Sequence, residues 1–303
     1  MTDLTAGFRL AGVFLLLGGF AVAAHRDWTT REVSDRLWQL LALLGAALGA
    51  LALAPEGLGA ELVWLIAAGF LLEHLFPWDD LLDAIDPRWP VVLEAGVYLL
   101  VSSVLVGLWW ARGLGAAGVP PEALSVWISV LVGRGLFEAG LLYGGADAKG
   151  FMTAGILIPF QTQTLVPLPD SAARILLIYP FPITLLMNAA VVALLIPVGL
   201  AIRNLRAGEF EFPKGFMGYW LPTRELARKF VWLRDPSFDL DEESAETSED
   251  DRRLREQAQR TLEARGIARV WVTPQIPFLV LMFVGAALGL LAGNLVLDLV
   301  AIG

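Results

Sequence analysis

The apolar positions of this chain come in long unbroken runs, without the amphipathic periodicity of a soluble fold. Eight runs stand out, at about 7–24, 37–54, 60–76, 90–111, 122–143, 150–168, 174–200 and 275–302. A bilayer core asks for roughly 20 consecutive apolar residues per helix. Inside it every backbone N–H and C=O must bond within its own segment, which makes helices the default spanning element. The dyad alternation of a membrane barrel strand is absent. The pattern therefore predicts an all-α polytopic membrane protein with about eight transmembrane helices. The run at 150–168 is the weakest, because it holds Pro159 and a polar patch over residues 161–164. The short mixed piece 77–88 reads as interfacial.

Polar segments divide the chain into three parts. Residues 1–202 form a membrane bundle, 203–272 a single cytoplasmic insertion, and 273–303 a C-terminal transmembrane helix. Within the insertion, 205–238 carries aromatics and prolines and is expected to fold against the membrane. The acidic stretch 239–251 reads as a disordered linker. Residues 252–265 are good helix formers with Gly266 as a stop. That helix reads as solvated, in preference to a basic helix held on anionic lipid, because Glu256 and Glu263 dilute its charge.

Basic residues set the orientation. Cytoplasmic loops carry the excess of Lys and Arg. With the N-terminus outside, the inner segments hold Arg26, Arg31, Arg36, Arg88, Lys149 and thirteen basic residues between Arg203 and Arg269. The outer segments hold only Arg9, Arg112 and Arg174. Both termini are then outside. Seven tryptophans (Trp28, Trp38, Trp78, Trp89, Trp109, Trp110 and Trp271) fall near run ends, where aromatic belts form. Residues 21–23 resemble a signal-peptide cleavage site, but cleavage would put the arginine-rich 25–36 loop outside, against the charge bias.

Composition narrows the chemistry. The chain of 303 residues is 56% hydrophobic with 17% charged residues and a mean hydropathy of +0.64, too little charge to cover a soluble surface. It has no cysteine, which removes disulfides, thiol nucleophiles and cysteine metal sites. Two histidines, His25 and His74, supply a metal site poorly. No metal, cofactor or nucleic-acid partner is expected. The net charge of −9 comes largely from 239–251 and describes that segment rather than the whole surface.

Ionisable groups at or in membrane spans are costly and informative. Asp27 follows the first run, in a loop that also holds Arg31, Glu32 and Asp35; most of those charges read as topology determinants. Asp147 follows Gly144 and Gly145 between the fifth and sixth runs, two residues before Lys149. Four runs separate the two aspartates, an even number, so both fall on the cytoplasmic side. A pair of close carboxylates shares one proton. One can act as general base on water while the other, protonated, polarises a carbonyl. Peptide hydrolysis suits this equipment, which lacks a metal, a thiol or a serine triad.

At these residues the chain resembles archaeal preflagellin and prepilin peptidases, membrane aspartyl proteases of the GxGD type. Their first aspartate lies in a pattern like D-x-x-x-R-x-V-x-D, here Asp27 to Asp35 through Arg31 and Val33. Their second lies in a G-x-G-D-x-K loop, here Gly144 to Lys149. The segment 270–278 before the last run also looks like the archaeal branch. The firm motifs cover about fifteen residues. Ala146 stands in place of the second glycine; alanine disfavours positive φ, so the position either needs only a small side chain or departs from the family's loop.

The resemblance implies cleavage, at the cytoplasmic face, of a positively charged leader from membrane-inserted archaellin or type IV pilin-like precursors. Without the cysteine module of the bacterial relatives, it implies no N-methylation. Asp27 and Asp147 would be catalytic. Gly144, Gly145, Lys149 and Arg31 would support them, Lys149 by easing the ionisation of the pair or by fixing its loop to lipid phosphate. A presenilin-like protease is an alternative, but its Tyr-Asp pair and Pro-Ala-Leu motif are missing. A transporter is another, with Glu73–His74, Glu94, Arg134 and Glu138 as polar positions in spans; Arg134 and Glu138 are expected to pair facing the bundle interior. No internal repeat of the transporter kind is visible.

Overall fold

In the computed structural model, residues 3–76, 89–115, 117–142, 144–160, 180–233 and 248–302 are described. The chain is mostly helical. Its order is α1 (Asp3–Thr29), α2 (Asp35–Leu53), α3 (Leu58–Leu75), α4 (Trp89–Arg112), α5 (Pro121–Glu138), α6 (Gly145–Leu157), α7 (Phe181–Ala193) and α8 (Leu195–Ala207). Then come β1 (Tyr219–Pro222), β2 (Val231–Leu233), α9 (Ser248–Ala264), β3 (Arg269–Pro274), α10 (Phe278–Ala292) and α11 (Leu295–Ile302).

Among the described residues, five segments are long and apolar enough to cross a membrane: Gly7–Thr29, Asp35–Glu56, Leu58–Leu75, Val92–Arg112 and Phe181–Ala207. They coincide with the first four expected runs and the seventh. The fifth run forms α5, which carries Glu122, Arg134 and Glu138. The sixth forms α6, with residues 161–168 outside the described part. The eighth breaks into α10 and α11 at Gly293, whose φ is 92°. The expected interfacial piece 77–88 also lies outside the described part.

The chain divides into two compact units. The first comprises residues 1–25, 33–190 and 279–303; the second comprises 26–32 and 191–278.

The first unit is built around α6. This helix is only 13 residues long, and from Gly150 to Leu157 every residue is buried. It packs against α2, α3 and α5. Small residues make that enclosure possible. A Cβ on Gly12 would meet the Leu157 carbonyl oxygen, and one on Gly155 would meet the Ser129 side chain. Gly150 lies against the Trp38 indole, and Gly133 against Phe151 and Met152. Between lipid-soluble helices there is little hydrophobic drive, so such close backbone approach and hydrogen bonds supply the cohesion. Gln39 Nε2 donates to the Leu75 carbonyl at 2.8 Å and Trp64 Nε1 to the Ala46 carbonyl at 2.9 Å, tying α2 to α3. Ser125 Oγ donates to the Pro159 carbonyl at 2.6 Å, fixing the exit of α6 on the start of α5. Trp38 is thus a core residue, fully buried and edge-on to Phe20, and not part of an interfacial belt. Trp28, Trp109 and Trp110 are exposed near helix ends.

The polar positions within this unit form a partly exposed network. Arg134 pairs with Glu138 at 2.7 Å, as its spacing suggests, and also with Glu94 at 3.4 Å. Their side chains are 38%, 59% and 33% exposed, so the cluster does not face the interior as expected from spacing. His74 Nε2 lies 2.6 Å from the Tyr98 hydroxyl, and its Nδ1 is 2.8 Å from the Phe70 carbonyl. A carbonyl can only accept, so Nδ1 carries the proton and Tyr98 donates to Nε2 in the neutral ring.

Expectation of an all-helical chain fails in the second unit, where three short strands form an antiparallel sheet in the order β1-β3-β2. Tyr219 pairs with Val272 and Leu233 with the same residue from the other side. The strands alternate: Tyr219, Leu221, Val231, Leu233, Val270 and Val272 point inward, while Trp220 and Trp232 are exposed. The inward side chains pack with Leu226 and with Ala258 and Leu262 of α9. The helix expected at 252–265 therefore exists but is not solvated all round. Gly266, at φ 72°, ends it, with Ile267 N–H donating to the Leu262 carbonyl at 3.0 Å. Residues 239–247 of the expected linker lie outside the described part, and 248–251 begin α9.

Two asparagines hold the break between α10 and α11. Asn188 of α7 is buried; its Nδ2 donates to the Gly293 carbonyl at 2.9 Å, and its Oδ1 accepts from Leu295 N–H at 3.0 Å. Asn294 caps α11, its Oδ1 accepting from Val296 and Leu297 N–H at 3.1 Å. Replacing Asn188 with leucine leaves backbone groups at the break unsatisfied. Asn188→Leu is expected to destabilise the protein by about 1–3 kcal/mol, read as a lower thermal midpoint in detergent.

Candidate active site

Asp27 sits in the last turn of α1. The helix ends there because Arg26 O is closed off by Thr30 N–H at 2.8 Å and by the Thr30 hydroxyl at 2.9 Å. Thr30 Oγ1 in turn accepts from Glu32 N–H at 3.4 Å. Arg31 then turns the chain with φ 62°, the one non-glycine residue with positive φ among those described. Helices commonly end on such a left-handed residue, but glycine usually holds it. An arginine there costs about 1–2 kcal/mol.

The side chain of Arg31 offsets that strain. Its Nη2 donates to the Gln275 carbonyl at 2.8 Å, its guanidinium lies 5.0 Å from the centre of the Phe230 ring, and Nη1 is 3.6 Å from Asp27 Oδ1. The two side chains are 17% and 14% exposed, so this ion pair is screened far less than a surface one. Burial lowers the Arg31 pKa from its usual value; the Asp27 carboxylate opposes that shift and the charge of Arg255 adds to it. A guanidinium starts so high that it stays charged at neutral pH. The strained residue of the first motif is therefore also the one that binds its aspartate to the sheet unit, through the residue after β3.

Asp147 lies in the first unit, as the third residue of α6. Its N–H bonds the Gly144 carbonyl at 3.0 Å, and its carboxylate folds back over the Gly144 Cα: a Cβ there would come within 2.9 Å of Oδ2 and 3.2 Å of Cγ. A carboxylate so placed is favoured by the positive end of the helix dipole. With φ at −96° the backbone at 144 does not call for glycine; a side chain there would instead make the Asp147 carboxylate swing away. Gly145 is different: nothing lies within 4 Å of its missing Cβ and its φ is not positive, so sterics do not call for glycine. Ala146 lies inside the helix with a negative φ, so the backbone does not need glycine at the one place where the motif departs.

Lys149, one turn further along α6, pairs with Asp35 at 2.7 Å. Asp35 is the first residue of α2 and the last of the first motif. Its role was not legible in the sequence, where it read as one loop charge among several. The side chains are 26% and 44% exposed. Such a pair is worth only about 0–1 kcal/mol, so its effect is to fix the start of α6 against the start of α2. Phe230 and Gln275 are the other residues sequence reasoning missed. The only signal was that Gln275 falls within the 270–278 segment.

The chain matches no family model and no curated protein.

Two pairs of variants test this geometry. Gly144→Ala pushes the Asp147 carboxylate away and, if Asp147 is a catalytic acid, is expected to reduce turnover at least 10-fold in a folded protein, whereas Ala146→Gly is expected to leave it within about 2-fold. Lys149→Met and Asp35→Asn break one contact, so their double variant is expected to be no worse than the poorer single one in a double-mutant cycle.

Proposed function

We propose that this protein is a membrane aspartyl endopeptidase that removes the positively charged leader from archaellin or type IV pilin-like precursors. The observation that carries this reading is the Asp35–Lys149 contact at 2.7 Å. Two motif segments more than a hundred residues apart in sequence are joined by residues that belong to the resemblance on both sides. The back-folded carboxylate of Asp147 and the arginine-held carboxylate of Asp27 add to it, since both acids are placed by specific contacts and neither is a loosely solvated loop charge.

In this reading the chain crosses the membrane eight times, with α5, α6 and the α10–α11 pair adding to the five longer segments. Both termini lie outside, and Asp27, Asp147 and the sheet unit face the cytoplasm. The precursor presents its leader there, beside its own membrane segment. Asp27 and Asp147 share one proton. The ionised member takes a proton from water as the water attacks the scissile carbonyl; the protonated member donates a hydrogen bond to the carbonyl oxygen and then passes its proton towards the leaving amine. The pair titrates as a unit, so its pH profile has two limbs that belong to both acids together. Cleavage proceeds without N-methylation.

An ion-coupled carrier is the second reading, favoured by the Glu94–Arg134–Glu138 network and the His74–Tyr98 pair. Arg134→Gln would abolish transport if the chain is a carrier, and would leave leader cleavage intact if it is the peptidase.

Co-expression with a tagged precursor, followed by N-terminal sequencing of the product, decides between them. Asp27→Asn and Asp147→Asn are each expected to lower cleavage by about 10²–10⁴-fold, with the fold kept. Lys149→Met is expected to cost less than either. Near wild-type cleavage by one of the aspartate variants would sink the assignment.

A further inference from the structure

The second unit holds most of the basic residues of the chain, beside an equally dense set of acids, and one place in it gathers the cations. A groove of about 790 Å³ runs between the residues that follow α1, the segment leading into β2 and the start of α9. Five cations line it, Arg228, Lys229, Arg252, Arg253 and Arg255, against two carboxylates, Glu32 and Glu256. One of those carboxylates, Glu256, is already engaged by Arg252 at 3.1 Å. The groove therefore carries an excess of three positive charges by its lining alone.

Its inner wall strengthens the case. Arg255 is only 7% exposed, and its guanidinium lies 5.6 Å from the centre of the Phe230 ring. Arg31 approaches the same ring at 5.0 Å. Two like charges on one aromatic side chain repel, and that repulsion is one of the causes that lower the Arg31 pKa. The Arg31 Nε is buried and makes no hydrogen bond to the described residues.

The position of the groove selects the kind of anion. Thr29 and Thr30 form part of its wall, and Thr29 ends the 23-residue apolar segment that starts at Gly7. A span of that length brings its end to the level of the lipid headgroups. Arginine forks match phosphate oxygens in pairs, and clustered cations at this level draw anionic lipid.

We propose that this groove binds the phosphate-bearing headgroup of an anionic phospholipid at the membrane face where α1 ends. The basic face of α9 is then a lipid contact after all, built jointly with Arg228 and Lys229, while its other face closes the core of the sheet unit. A bound headgroup holds Phe230, and with it the Arg31 clamp on Asp27. Lipid binding does not depend on the peptidase reading; only the consequence for Asp27 does.

The full chain in a neutral detergent is titrated with short-chain phosphatidylglycerol, short-chain phosphatidylcholine and glycerol 1-phosphate, and the thermal midpoint is followed. Phosphatidylglycerol is expected to raise the midpoint saturably, phosphatidylcholine to leave it unchanged, and glycerol 1-phosphate to need at least 10-fold higher concentration. The triple variant Arg228→Gln, Lys229→Gln, Arg253→Gln changes exposed side chains and is expected to keep the lipid-free midpoint while binding phosphatidylglycerol about 100-fold more weakly. Equal response to both lipids, or unchanged affinity in the triple variant, overturns the proposal. Equal affinity for glycerol 1-phosphate assigns the groove to a soluble phosphate and overturns the lipid source. A response to phosphatidylglycerol seen only after Asp241→Asn, Glu242→Gln and Glu243→Gln assigns it to the chain's own acidic run, which also overturns it.

Discussion

Enclosure of α6 by α2, α3 and α5 is the constraint on which the membrane unit depends. A helix buried on all sides among apolar neighbours gains little by being strongly lipophilic, because lipid tails and neighbouring side chains are alike as solvents. It gains by letting backbones approach. The sequence of α6 answers that demand with Gly150, Gly155, Ala148 and Ala154, and the surrounding helices answer it with Gly12, Gly45 and Gly133. A Cβ on Gly12 would meet a carbonyl oxygen and one on Gly150 the edge of an indole, while at Gly45, Gly133 and Gly155 it would press on neighbouring side chains. The exit of the helix is fixed by Ser125, whose hydroxyl donates to the Pro159 carbonyl.

The second unit relies on a different balance. Its core is small, nine buried side chains from three short strands, one helix and the turn that holds Leu226. A core of that size leaves little margin for strain, yet the unit carries Arg31 in a left-handed conformation. The strain is acceptable because one side chain makes three contacts at once, to Gln275, Phe230 and Asp27. Strain at a residue beside a candidate catalytic acid points from geometry to function. Arg31→Gly would relieve the backbone and lose every one of those contacts.

Hydropathy made the first four spans and the seventh legible, because a helix facing lipid has to be apolar along its whole length. It misjudged what faces protein. The α6 run looked weak because of Pro159 and the polar patch that follows it, although the helix before them is the most enclosed of the unit, and Trp38 looked like a belt residue although it packs on Gly150. The break at Gly293 was hidden because the residues on both sides are apolar, and the asparagines that satisfy it, Asn188 and Asn294, were not singled out in the sequence. The sheet was missed because its strands are three to six residues long and lie among prolines and aromatics, although the alternation over Val270–Thr273 was there to be read. At the candidate site, both aspartates could be named from spacing. Their partners could not, since Asp35–Lys149 and Arg31–Gln275 are tertiary contacts with no local signature.

The arrangement of polar residues in the first unit bears on what the protein does. Gln39 at the start of α2 bonds Leu75 at the end of α3, His74 there meets Tyr98 in the first half of α4, and Glu94 nearer that helix's start meets Arg134 near the end of α5. Lys149 at the start of α6 then closes on Asp35 at the start of α2. Alternating helix directions bring all of these to one end of the bundle. Arg9, Glu56 and Glu122 gather around a small cavity at the other end, beside Leu157 and Pro159. A carrier that moves ions through the bundle needs acids near the middle, on broken helices. Among the described residues, the break between α10 and α11 is held by neutral asparagines, and the charged groups just named lie towards helix ends. Charges placed towards helix ends stay close to water and avoid the cost of burial in the apolar core, and the proposed reading, with its chemistry at one membrane face, is compatible with that separation.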